Sequence, residues 1–221
     1  MVCESCVRQA GAIVARNFDE FQDLFSLAEN LNAKKIRGNR LAAVSGAGFE
    51  AVGMADSIHS DDFDLCLAKY STSSKTRIAE ILKEKKLDHL VSVANPLDIN
   101  PSADDETHAA VAEALLRDNG VDAVIIGLDP LSPATHTLGD TRVPAFALDN
   151  EKSVLHLIAG IAKRSEKPLV AVVDGGALYD PLRAALMERG IPVFSLCDKA
   201  VAALALYIEA RIHADGIRSG L

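Results

Sequence analysis

The chain has 221 residues, 49% of them hydrophobic, with 5% aromatic, no tryptophan and a net charge of −8. That length suits one large α/β domain or two small ones, and the core must be built from Ala, Val, Leu and Ile, as in parallel sheets covered by helices. The charge argues against nucleic acid or an anionic membrane surface as a partner, so any phosphate site has to be made locally by backbone amides and helix ends.

No apolar run approaches the roughly 18 residues of a membrane helix, and no signal peptide opens the chain. A cytoplasmic protein with reduced cysteines is expected. Cys3 and Cys6 form a Cys-Glu-Ser-Cys pair, but a second ligand pair at zinc spacing and a preceding strand are both lacking, so no metal or redox site is expected there. Cys66 and Cys197 read as small buried hydrophobes in apolar runs.

The first residues give a helix, a strand-like Gly11–Ala15, and a helix from Phe18 to Leu31 with Phe21, Leu24, Phe25 and Ala28 as its inner face. One strand and two helices cannot build a core. Residues 1–37 are therefore expected to be the tail of a preceding domain plus a basic linker (Lys34, Lys35, Arg37), with the main domain over 38–221.

From there short apolar strands alternate with amphipathic helices. Strands are expected at Arg40–Val44, Asp64–Ala68, Leu90–Ala94, Asp122–Gly127, Pro168–Val173 and Ile191–Phe194. Helices are expected from Phe49 to about His59, over Ser74–Lys86, from a Ser102 cap to Asn119-Gly120, near Glu151–Lys163, over Asp180–Arg189 and from Lys199 onward. Alternation at this spacing implies right-handed crossovers and a doubly wound parallel sheet in three layers, α/β/α.

Ligands of such sheets bind beyond the carboxyl ends of the strands. The first such end is Ser45-Gly46-Ala47-Gly48 before the helix at Phe49, where two glycines let the chain turn and bare amides at a helix start attract an anion. A first βα turn also holds glycine for packing alone. It lacks the third glycine of a dinucleotide fingerprint and the Gly-Lys-Ser/Thr of a P-loop. The second end is Asn95-Pro96-Leu97-Asp98, whose Asn95 and Asp98 point along the sheet edge, to order neighbouring loops or to face a ligand. The third, from Asp129 to Thr137, is stiffened by prolines and offers the hydroxyls of Ser132 and Thr135, as a binding loop or a plain connector. Of the six histidines only His136 falls in a candidate loop, and His156 reads as a core histidine. His59 heads an acidic turn. No Ser-His-Asp or Cys-His set can be assembled from the spacing.

Several collinear blocks carry a resemblance. Arg40 to Asp56, with its Ser-Gly-Ala-Gly turn, resembles the glycine turn and following helix of the carboxyl-terminal domain of the succinyl-CoA synthetase β subunit, and the matching domain of ADP-forming acetyl-CoA synthetases. Ala94-Asn95-Pro96-Leu97-Asp98-Ile99 followed by a helix and Val121–Ile126 is similar to both in order and spacing. Glu166 through Phe194 to Leu204 looks like the last third of that domain in fused acyl-CoA synthetases, and Arg8 to Leu24 resembles the end of the preceding CoA-ligase domain.

The resemblance, to the NDP-forming acyl-CoA synthetases, implies a flavodoxin-like CoA-ligase domain. The family joins an acid to CoA through an acyl phosphate and a phosphohistidine, held between two facing helix amino termini. By that analogy Ser45, Gly46, Ala47, Gly48 and Phe49 form one anion end, Asn95 and Asp98 order the neighbouring edge, and Ser132 and Thr135 border the acyl phosphate. No cofactor is expected on this chain alone. CoA and ATP or ADP with Mg belong to a parent enzyme with CoA-binding, phosphohistidine and ATP-grasp domains, which would be this chain's partners along with phosphate or acyl phosphate. The sequence departs from the family where Asn100-Pro101-Ser102-Ala103 replaces a glycine-rich run and Asp-Pro-Leu-Ser-Pro replaces a glycine pair. A non-catalytic flavodoxin-like module binding a phosphorylated metabolite or a partner protein is the alternative. A true flavodoxin is disfavoured, because the loops lack aromatic residues to stack on a flavin ring.

Overall fold

A computed structural model describes residues 2–220. The chain runs α1 (Val2–Gln9), α2 (Phe18–Leu31), β1 (Arg40–Ser45), α3 (Gly48–Asp56), β2 (Cys66–Leu67), α4 (Thr72–Glu84), β3 (Leu97–Asp98), α5 (Asp105–Arg117), β4 (Ala123–Gly127), α6 (Val154–Arg164), β5 (Leu169–Val172), α7 (Asp180–Glu188), β6 (Val193–Phe194) and α8 (Cys197–Arg218).

All strand pairs are parallel, in the order β2-β1-β4-β5-β6, with β3 also paired to β1. β2 meets β1 at Arg40 and Leu41, whereas β3 meets it at Val44 and Ser45, so two short strands share one edge. Counted as one strand, they give the 2-1-3-4-5 order of the flavodoxin-like doubly wound fold, whose switch point lies between β1 and β4.

β1 after Arg40, and all of β4 and β5, are buried, and their residues alternate between two cores. Val44, Val124, Ile126 and Ala171 face the side covered by α4, α5, α6 and α7. Leu41, Ala43, Ile125, Val170 and Val172 face α2, α3 and α8. Both faces of the sheet being covered explains the unbroken apolar runs in the sequence.

Several local expectations give way to tertiary context. The expected strand at 90–94 is a non-regular run, and the pairing falls at Leu97–Asp98 instead. The reason is visible at Asn95: its amide donates to Leu41 O (2.7 Å) and Ala68 O (3.0 Å) and accepts from Ala43 N (3.1 Å). A side chain thus fills the gap that a third paired residue would occupy. The helix expected from a Ser102 cap starts later, with Asp104 accepting from Thr107 N at 2.9 Å. Gly11–Ala15 is not a strand.

The inner face of α2 is Leu24, Leu27 and Leu31, while Phe21, Phe25 and Ala28 are exposed. Two apolar stripes compete on that helix, and packing against α8 selects the leucines. Cys66 is exposed and Cys197 half-buried at the start of α8, not buried in strands. His156 is half-buried and turned to the Ser153 hydroxyl.

Candidate functional site

β1 and β4 end side by side, with Ser45 paired to Gly127. Beyond Ser45 the backbone turns through Gly46 and Ala47 into α3. The amino terminus of α3 has no side-chain cap: Ala47 stands at the cap position in an extended conformation with no oxygen to offer. Asn17, Ser71 and Asp104 cap α2, α4 and α5, and the Asp105 carboxylate accepts from Val154 N at the front of α6, whereas α7 and α8, like α3, begin without a side-chain cap. The amides of Gly48 and Phe49 have no acceptor among the described residues, and Phe49 is 73% exposed. An open, uncapped helix start at the switch point can hold an anion by amide hydrogen bonds and the local dipole.

The floor of the turn is polar and tightly built. Ala47 N–H donates to Ser45 Oγ (2.9 Å), and the Ser45 hydroxyl donates to Glu50 Oε2 (2.5 Å). Ser45 and Ala47 therefore shape the turn from within. Glu50, on the first turn of α3, is folded inward and only 4% exposed. Burial pushes its carboxyl up to about 7, with the nearby Asp174 and Asp129 carboxylates adding to the rise and the Ser45 hydroxyl opposing it. Gly127 has to be glycine because a Cβ there would lie 1.6 Å from Glu50 Oε2 and 2.7 Å from Ser45 Oγ.

Acidic groups line the rest of the rim. A Cβ on Gly48 would stand 2.6 Å from Asp98 Oδ2, so this exposed carboxylate lies against the front of α3. Its other oxygen accepts from Asn100 N at 2.8 Å, two residues along its own loop. Asp129 follows β4 at a positive φ of 34°, and its carboxyl is raised by burial.

The third expected element serves its own loop. The Ser132 hydroxyl donates to Pro101 O (2.6 Å) and its oxygen accepts from Ala134 N (3.1 Å). Thr135 Oγ1 donates to Ser132 O at 3.2 Å. Both residues are buried, with their hydroxyls committed to backbone. His136, the histidine the sequence singled out, is held by Asp105 at 2.7 Å.

The histidine beside the glycine turn is instead His108, fully buried on α5, with Nε2 3.3 Å from where a Gly46 Cβ would be. Sequence reasoning passed over His108 because it sits mid-helix, and over Glu50 because an acid in a first helical turn ordinarily faces solvent. It also passed over Asp174-Gly175-Gly176, the turn after β5, where the Arg183 guanidinium donates to the carbonyls of Val173, Gly175 and Gly176. The strand-then-Asp-Gly-Gly pattern is a signal that could have found it.

A cavity of about 610 Å³ lies elsewhere, at the amino-terminal end of β1, lined by Arg8, Ile13, Asn39, Asp64, Glu209 and His213 among others. Its position at the wrong end of the sheet for a doubly wound ligand site leaves the glycine turn as the candidate.

No family model matches the chain. It is 26% identical over 221 residues to the Pyrococcus furiosus acetate–CoA ligase [ADP-forming] II subunit alpha, covering 98% of this chain and 43% of that one. A crystal structure from Pyrococcus horikoshii OT3 matches at 28% identity and a TM-score of 0.72, over 96% of this chain and 44% of that one. The dinucleotide-forming acetyl-coenzyme A synthetase 1 of Ca. Korarchaeum cryptofilum shares the fold at 23% identity and a TM-score of 0.73, in its apo form and in complex with phosphate and ADP, over 99% of this chain and 43% and 42% of those chains. The chain spans less than half the length of these relatives. The chain thus resembles part of an ADP-forming acetate–CoA ligase subunit in sequence and shares a doubly wound fold with a longer acetyl-coenzyme A synthetase.

Proposed function

We propose that this chain acts as a CoA-ligase domain of an NDP-forming acyl-CoA synthetase, holding the phosphoryl group of a phosphohistidine or acyl-phosphate intermediate at the amino terminus of α3. The observation that carries the proposal is the uncapped start of α3 at the switch point, with the Gly48 and Phe49 amides open. A phosphoryl dianion needs donors fixed in advance, and two amides at a helix start supply them without a neutralising proton. In this reading Gly46 lets the backbone approach, Ser45 and Ala47 hold the turn, Asn95 and Asp98 order its neighbour, and Ser132 and Thr135 stiffen the loop that borders the acyl phosphate.

The remaining chemistry belongs to other segments. A phosphohistidine domain delivers the phosphoryl group, a CoA-binding domain the thiol, and an ATP-grasp domain the nucleotide with Mg. Residues 1–37 are proposed to be the end of a preceding CoA-ligase domain plus linker, and 38–221 the flavodoxin-like domain, working in the cytoplasm and inactive alone.

One observation favours a second reading, a non-catalytic module: Asp98 already lies at the positive end of α3, and Glu50 and Asp129 add acid beneath it. Calorimetric titration of inorganic phosphate and acetyl phosphate separates the readings. The enzyme reading expects weak saturable binding of both, lost in Gly46→Val, whose side chain would crowd Asp129 and His108. It also expects tighter binding in Asp98→Asn, which removes a like charge. Equal binding by wild type and Gly46→Val removes the assignment.

A further inference from the structure

We infer that His108 is the proton acceptor beneath the glycine turn: its Nε2 takes a proton from solvent when a phosphate or acyl-phosphate anion settles on the amides at the front of α3. The inference rests on the phosphate reading above and deepens it.

The geometry fixes the tautomer of the neutral ring. Nδ1 lies 3.0 Å from Asp104 O, and a carbonyl oxygen can only accept, so the proton of the neutral ring is on Nδ1. Nε2 is then a bare acceptor. It is fully buried and has no hydrogen-bond partner among the described residues. Orphaned buried acceptors are rare in folded proteins and call for a cause.

Its direction supplies one. A Cβ on Gly46 would be 3.3 Å from Nε2 and 3.4 Å from Asp129 Oδ2, so the ring edge and the Asp129 carboxyl converge on the inner side of the turn. The amides at the front of α3 begin two residues beyond Gly46 in the same turn. The charges around the ring favour a cation there. Asp104 and Asp105 from α5 and Asp129 after β4 all face it. Lys85, just after α4, pairs with Asp104, His136 is hydrogen-bonded to Asp105, and His156 of α6 is turned to Ser153. Among the described residues, His108 is the side chain whose positive charge would meet Asp129.

In the free chain burial lowers His108 below the ordinary histidine value and so disfavours the charged ring. An incoming dianion reverses that balance by favouring the charged ring in a poorly solvated place. The step forms one N–H bond at Nε2 and breaks none in the protein. It also answers the electrostatic difficulty of the seat, since Ser45, Glu50, Asp98, Asp129 and His108 include one group that can become positive.

Nitrogen NMR of the full chain with labelled histidine tests this directly, with inorganic phosphate and with sulfate, which stays a dianion through the neutral range. The expected result is an Nε2 signal of a bare acceptor without anion and of a protonated imidazolium at saturation. Glu50 also titrates near neutrality, so affinity against pH is not the readout. If the Gly48 and Phe49 amides shift on titration while the ring stays neutral, this inference fails and the phosphate seat stands. If no amide shifts, both fail. His108→Gln, checked for folding by circular dichroism, is expected to bind sulfate about tenfold more weakly at about pH 7; unchanged binding in the folded variant would overturn the role.

Discussion

Two loops leave neighbouring strands of one sheet, and they use their polar atoms in opposite ways. The turn after β1 leaves the Gly48 and Phe49 amides open and supports them with a buried chain from Ala47 through Ser45 to Glu50. The loop after β4 spends the Ser132 and Thr135 hydroxyls on Pro101 O and its own backbone. Residue type alone does not tell these two loops apart. What separates them is which donors remain unspent once the fold has satisfied its own groups.

The sharpest way to break the contrast is Gly127→Ala. The added methyl collides with both Glu50 and Ser45, so the floor of the first turn has to move. A loss of about 4 kcal/mol of stability is expected in chemical denaturation, at the upper end of single-site effects. A loss under about 1 kcal/mol would mean that the buried Glu50–Ser45 contact is not fixed.

Glu50 sets the next effect. Its folded-state carboxyl is raised to about 7 from the ordinary 4.5, so its stabilising contribution is complete below about pH 4.5 and is lost as pH rises through about 7. Stability of the wild-type chain should therefore fall over that window. Glu50→Gln keeps an oxygen to accept from Ser45 and should flatten the slope, leaving the variant more stable than wild type by on the order of 2–3 kcal/mol at about pH 8. Parallel denaturation profiles for the two proteins would show that the carboxyl is solvated.

The smallest effect comes from the other loop. Ser132→Ala removes one hydroxyl that bridges two backbone groups and is expected to lose about 1–2 kcal/mol in melting experiments. Phosphate affinity should not change. A weakened phosphate response in a folded Ser132→Ala chain would put this loop back among the ligand-facing elements.

The fold was legible because its signals are long and redundant. Runs such as Ala123–Gly127 and Leu169–Val172, separated by amphipathic helices, admit little but a covered parallel sheet. The edge was half legible: β2 falls inside the strand expected at Asp64–Ala68, but β3 is two residues long and follows Asn95, whose side chain bonds to β1. Phe21 and Leu24 show the same limit on a helix, where two apolar stripes look alike until α8 covers one. At the site, the glycine turn announced itself by spacing. The acids and the histidine beneath it did not, since Glu50 and His108 reach it from helix positions whose orientation only packing decides.

Mapping backbone amide shifts by NMR during a phosphate titration tests the central claim most directly. The account predicts saturable shifts concentrated at Gly46, Gly48 and Phe49, with the amides of Ala134 and His136 unmoved. Shifts spread over basic surface residues, or centred on the loop after β4 while the front of α3 stays silent, would contradict it.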